Sequence, residues 1–141
     1  MDNHRTIDNI VTLTGPTHVA HDGDVGIDVF YKGEKDIKLD PLQRAHCDTQ
    51  VTAQFYSNDY YIQVCPRSGL AFKHGVTVLN SPGIIDSGFT GNIKVCLVNL
   101  SEMIYTVHPG DKIAQLVICN NYNTYKGGVA RDSNGFGSSG F

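Results

Sequence analysis

Arg67-Ser68-Gly69 and Asp86 are the residues whose types and neighbours suit chemistry on a phosphate. A serine at the start of a short helix presents its hydroxyl beside backbone N–H groups that lack an intrahelical acceptor. Gly69 lets a ligand approach the main chain, and Arg67 adds a forked cation. Taken alone, the tripeptide is more often an ordinary helix cap beside a surface arginine. The segment Asn80-Ser81-Pro82-Gly83-Ile84-Ile85-Asp86-Ser87-Gly88-Phe89 changes that balance. A carboxylate held in a glycine-rich turn can orient a water and take its proton as the water attacks phosphorus. The competing reading of Asp86 is a plain turn former. For Phe89 the competing reading is a core aromatic.

These residues need a scaffold, and the composition allows one compact domain. A chain of 141 residues, 40% hydrophobic and 18% charged, can bury roughly two-thirds of its unfolded surface. It has no apolar run of membrane-spanning length, and 1–16 does not read as a secretory leader, so a cytoplasmic or nuclear protein is expected. The net charge of −3 argues against nucleic-acid binding, so a polyanionic ligand needs local cations or a metal. Cysteines 47, 65, 96 and 119 are widely spaced and read as reduced core fillers. Histidines 4, 18, 21, 46, 74 and 108 lack metal-ligand spacing. Asn99-Leu100-Ser101 matches a glycosylation sequon, and without a leader it is set aside.

The 15 glycines and 5 prolines divide the chain into short runs rich in β-branched and aromatic residues, an all-β signature. Strands are expected at 26–31, 37–39, 49–56, 60–65, 75–79, 92–99, 103–107 and 112–119. One helical turn is expected at 69–74, with Ser68 as N-cap and Gly75 as the stop. Val95 to Val98 and Ile113 to Ile118 are apolar on both strand faces, so a second sheet or another subunit must cover them. The domain is assigned to 1–126, and the Gly- and Ser-rich stretch 127–141 reads as a tail. Gly135-Phe136-Gly137-Ser138-Ser139-Gly140 fits a dinucleotide fingerprint literally, but only Phe141 follows where that motif demands a helix.

Five segments in order resemble the motifs of the homotrimeric dUTP pyrophosphatases, the dUTPases. They are Gly26-Ile27-Asp28, Pro66-Arg67-Ser68-Gly69-Leu70-Ala71, the segment around Asp86, Gly110-Asp111-Lys112-Ile113-Ala114-Gln115-Leu116, and Arg131 with Gly135 to Gly140. The resemblance implies a jelly-roll-like β domain in a homotrimer that exchanges C-terminal tails. It implies hydrolysis of dUTP to dUMP and pyrophosphate, which limits uracil in DNA and supplies dUMP for dTMP synthesis. Asp86 would direct water to the α-phosphorus, and Asp28 would help hold Mg²⁺ through water. Arg67, Ser68, Gly69 and Gln115 would hold the triphosphate. A uracil-reading hairpin at 75–85 would contribute Asn80, Gly83, Ile84 and Ile85, with its return strand near Lys94. Phe89, where relatives carry tyrosine, would exclude a 2′-hydroxyl. Arg131, Phe136, Gly137, Ser138 and Ser139 would close as a lid over the γ-phosphate and base.

Two other classes are weighed. dCTP deaminases share the fold and the Arg-Ser turn, but their catalytic glutamate falls at Cys96. A nucleotide-gated binder would signal to a protein partner through the divergent stretch 44–59. In a virus, the compartment would be the host cytoplasm.

Overall fold

The computed structural model describes residues 2–123, which form twelve strands and one short helix. The strands are β1 (Asp2–Ile7), β2 (Val11–His18), β3 (Ile27–Phe30), β4 (Ile37–Leu39), β5 (Arg44–Asp48), β6 (Thr52–Phe55), β7 (Tyr60–Cys65), β8 (Val76–Val78), β9 (Gly83–Ile85), β10 (Lys94–Asn99), β11 (Tyr105–Val107) and β12 (Lys112–Asn120), and the helix is α1 (Ser68–His74). The all-β reading holds. A seven-stranded sheet runs β1-β2-β3-β12-β7-β9, with β6 also paired to β2. A three-stranded sheet, β5-β10-β8, and the pair β11-β4 complete the fold. Among the described residues no helix is long and apolar enough to cross a membrane.

Side-chain alternation sets the layers. Ile27 and Val29 of β3, Ile62 and Val64 of β7, and Leu116 of β12 are buried, whereas Asp28, Gln63, Cys65, Gln115 and Val117 point the other way and are half-exposed. The buried set packs with Leu13, Leu39, Val51, Ile93, Leu97 and Ile113 into one core. In β10 every residue from Val95 to Asn99 is buried, as its doubly apolar sequence predicts. Cys47 and Cys96 lie in this interior, and burial pushes the Cys47 thiol up to about 12. Asn99 is buried within the core, far from a sequon's surface position. Its Nδ2 donates to Leu39 O at 2.8 Å and Met103 O at 2.7 Å, and its Oδ1 accepts from Ser101 N and Oγ. It ties the β10–β11 loop to β4.

Several sequence expectations are corrected. β1 and β2 fall where no strand was expected, because β1 carries mostly outward polar residues and Gly15-Pro16 interrupts β2. The proline is accommodated by a register shift between Asp2 and His4, a bulge that spares it a ladder N–H. The expected 49–56 and 103–107 strands shrink to β6 and β11, leaving Met103 and Ile104 exposed. The stretch 44–59, considered as a partner surface, carries two framework strands and also exposed side chains at 44, 46, 50, 54 and 56–59. β5 pairs β10, β6 pairs β2, and Cys47, Thr49, Val51 and Ala53 are buried.

Helix α1 begins one residue earlier than expected. Arg67, extended at φ −93 and ψ 134, is the N-cap, and its carbonyl accepts from Ala71 N at 3.1 Å. Ser68 is therefore the first helical residue, and no side chain caps the start. Gly75 stops the helix as expected. It sits at φ 65, the left-handed conformation that costs glycine little, with its N–H on the Ala71 and Leu70 carbonyls.

Two consequences are measurable. Replacing Asn99 by Ala strands buried carbonyls and should cost at least about 2 kcal/mol in urea unfolding; a loss below roughly 0.5 kcal/mol would contradict its role. His108 Nδ1 lies 2.9 Å from Asp36 Oδ1, clipping β11 to the approach to β4, and this hydrogen bond raises the imidazole pKa. A raised folded-state value stabilises the protein below the ordinary value of 6.5 and is lost as pH climbs through the folded value. The melting-temperature gap between wild type and His108→Gln should therefore shrink from about pH 6 to about pH 8.5. A gap that widens with pH would contradict this sign.

Candidate active site

β12 runs antiparallel to both β3 and β7, and its register sets Gln115 opposite Asp28 on one side and Cys65 on the other. All three lie on the sheet's outer face. Immediately after Cys65 the chain turns through Pro66 and Arg67 into α1, which brings the guanidinium over the same row. Arg67 Nε is 4.0 Å from Asp28 Oδ1, and its Nη1 donates to Lys112 O at 3.5 Å. Lys112 Nζ is 3.3 Å from Asp28 Oδ2. A register shift between Lys112 and Ala114, a bulge at the start of β12, accompanies this placement. Gln115 Nε2 donates to Pro66 O at 3.0 Å, while its Oε1 packs against the Gly26 main chain. A Cβ at position 26 would overlap that oxygen, so any larger residue there would displace the Gln115 amide.

Two cations share one carboxylate, leaving this corner with net positive charge. The Asp28 side chain is 17% exposed, against 32% for Arg67 and 35% for Lys112, so the cations are the more accessible partners. Beside them Ser68 is exposed, and nothing lies within 4 Å of where a Gly69 side chain would begin. The first-turn N–H groups of α1 have no intrahelical acceptor. The arrangement suits a multiply charged anion that approaches from outside the sheet.

The segment carrying Asp86 is elsewhere. β8 pairs with β10 and β9 pairs with β7, so 75–85 does not form the expected hairpin. It is an arch between two sheets. Leu79 N donates to Cys96 O at 2.8 Å and Ser81 N to Val78 O at 3.3 Å, and after the cis Ser81–Pro82 bond the chain enters the other sheet. The expectation failed because three-residue strands reveal nothing about their partners. Asn80 is exposed at the arch, its Nδ2 3.6 Å from the Cβ position of Gly83, which is buried against Val64. Ile84 is exposed on the outer face and Ile85 half-buried. Lys94 stands opposite Asp48 of β5, and the strand returning from the arch runs beside β7 instead. Phe89 N donates to Asp86 O at 3.1 Å, closing a turn in which Asp86 is exposed and Phe89 half-buried.

Register measures the gap between the two halves. Ile85 pairs with Ile62, which sets Asp86 level with Tyr61, four residues along β7 from Cys65, or about 13 Å at the strand rise. β12 lies a further two strands across from β9. Within one chain Asp86 therefore does not reach the Asp28, Arg67, Lys112 and Gln115 cluster. Arg131, Phe136, Gly137, Ser138 and Ser139 lie outside the described residues. Lys112 was overlooked as a site residue. Its motif was visible, but the bulge that accompanies its turn toward Asp28 was not.

Among the described residues no three His, Cys, Asp or Glu side chains converge on a metal position. A single carboxylate already facing two cations does not form a protein cage. It would suit a hydrated Mg²⁺ brought with the phosphates, which Asp28 would help hold through water and which would supply positive charge against the triphosphate.

The sequence model of the dUTPase family matches residues 16–140, which take in both halves of this geometry. The deoxyuridine 5'-triphosphate nucleotidohydrolase of Wolbachia pipientis (strain wPip) is 45% identical over 123 residues, 82% of this chain and 80% of that protein. The enzyme of the same name from Clostridium novyi is 42% identical over 127 residues, 86% and 87% of the two chains. Among solved structures, native EIAV dUTPase superposes with a TM-score of 0.72 at 26% identity, covering 85% of this chain and 96% of the other. A mutant dUTPase from phage phi11 of S. aureus, for which coordination of a structural Mg(II) ion is described, gives 0.72 at 20% identity over 88% and 99%. The ordered motifs, the β architecture and these matches agree: the chain belongs to the dUTPase family.

Proposed function

We propose that this protein hydrolyses dUTP to dUMP and pyrophosphate, with water attacking the α-phosphorus, in a homotrimer whose sites are built between copies. The observation that carries this reading is the division of the site within one chain. An anion-binding corner of Asp28, Arg67, Lys112 and Gln115 stands apart from Asp86, although the family model spans both. A neighbouring copy supplies the missing half. The outer face between them bears Tyr61, Val117, Cys119 and Ile84, apolar or mixed side chains only half-buried or exposed in a single chain, which favours cover by another copy.

In this mechanism Arg67, Ser68 and the Gly69 main chain grip phosphate oxygens, Lys112 adds charge, and Gln115, oriented by its bond to Pro66, turns its remaining N–H to the substrate. Mg²⁺, when it arrives with the triphosphate, supplies neutralisation of its negative charge. Asp86 accepts the proton of the attacking water. Main-chain groups of 79–85 read uracil with Asn80, Gly83, Ile84 and Ile85 beside them, and cytosine leaves them mispaired at about 1–3 kcal/mol each. Phe89 walls off the 2′ position. Arg131 meets the γ-phosphate, and Phe136, Gly137, Ser138 and Ser139 cover the nucleotide and exclude water. A deaminase reading is not favoured, since Cys96 is a buried thiol where a carboxylate would be required.

The decisive variant is Asp86→Asn, which keeps shape but cannot take the proton. Pyrophosphate release from dUTP should fall by about 10²–10⁴-fold while dUTP binding by calorimetry persists. Unchanged turnover would remove Asp86 from the chemistry. Wild-type preference for dCTP or UTP over dUTP would overturn the substrate assignment.

A further inference from the structure

We infer that Asn58, at the tip of the β6–β7 turn, is a positioning residue that fixes the 86–89 turn; its catalytic meaning rests on the reading of Asp86 as the base. Ser87 Oγ donates to Asn58 Oδ1 at 2.6 Å, joining residues 29 positions apart. Asp86 and Ser87 follow the last ladder residue of β9, so this turn has left the sheet when it presents the carboxylate. A three-residue edge strand followed by an exposed turn belongs to the easily opened part of a fold. The Ser87 hydroxyl ties it back.

Asn58 is in turn well held. Its carbonyl accepts from Asn121 Nδ2 at 3.1 Å, and the next carbonyl, of Asp59, accepts from Asn121 N at 2.7 Å. Asp59 N donates to Ser57 Oγ at 3.2 Å. Tyr60, just beyond, pairs with Asn120 at the end of β12. The tip of the β6–β7 turn thus fastens the Asp86 turn to the strand that carries Lys112 and Gln115. Neither Asn58 nor Ser87 touches the anion-binding corner, so their removal affects alignment before affinity. A base acts only at hydrogen-bond distance from the water it deprotonates, and a small displacement is enough to lower the rate.

The test compares Asn58→Ala, Ser87→Ala, the double variant and Asn58→Asp, which keeps the acceptor oxygen. Each alanine variant should lower kcat for dUTP about fivefold, the scale of one hydrogen bond, with KM and melting temperature near wild type. The double variant should be no worse than either single, and Asn58→Asp should retain most of the rate. Amide exchange at 86–89 should quicken in Asn58→Ala. Wild-type kcat in both alanine variants, or additive losses in the double, would overturn the inference. If the wild-type protein itself failed to hydrolyse dUTP, the proposed function would fall, and exchange at 86–89 would still judge the clamp, with unchanged rates in Asn58→Ala refuting it.

Discussion

The pairing of β12 with β3 and β7 is the constraint on which the rest depends. It places Asp28, Gln115 and Cys65 in one row and fixes where the chain must leave β7 to bring Arg67 over that row. Strand faces alternate residue by residue. A slip of one residue in β12 would bury Gln115 and turn Leu116 outward, losing core and site together. Leu116 is completely buried, so the hydrophobic term that stabilises the sheet also enforces the register of the polar cluster. Gln115 adds a second lock through Pro66 and Gly26.

The same sheet explains why Asp86 and the Arg67 corner lie apart within one chain. β9 lies on the other side of β7, and the arch at 79–82 delivers it from the small sheet at a level that leaves Asp86 well down the strand from Cys65. No side chain spans that distance. In the proposed symmetric assembly each copy would offer one half to one neighbour and receive the other half from another, without new structure. The clamp at Asn58 fits the proposed arrangement, since a carboxylate serving another copy's substrate would need a support other than its own copy's phosphate grip.

The all-β class was legible because glycines and prolines separate β-branched runs, and β3, β4, β7, β10 and β12 fell where their apolar residues put them. β1 and β2 were not, since their polar outer residues and the Pro16 bulge hide the alternation. The arch read as a hairpin because a turn signal at Asn80-Ser81-Pro82-Gly83 says that the chain reverses, not which strands it joins. In the site, Asp28, Arg67 and Gln115 were legible through their motifs, and the structure brings them together. Lys112 required the bulge, and Asn58 required the pairing of distant turns; neither leaves a local trace. Ser68 was read as the cap because its type suits that place, yet the extended backbone of Arg67 takes it.

The central claim is that Asp86 of one copy serves the Arg67 corner of another. Subunit complementation tests it most directly. Asp86→Asn and Arg67→Ala chains, each nearly inactive alone, are unfolded together in equal amounts, refolded, and assayed for pyrophosphate release from dUTP. Random assortment in a cyclic assembly should restore about one quarter of wild-type turnover, since that share of sites pairs an intact Asp86 with an intact Arg67. Turnover no higher than the average of the two separate variants would place both residues in a single-chain site and contradict the account.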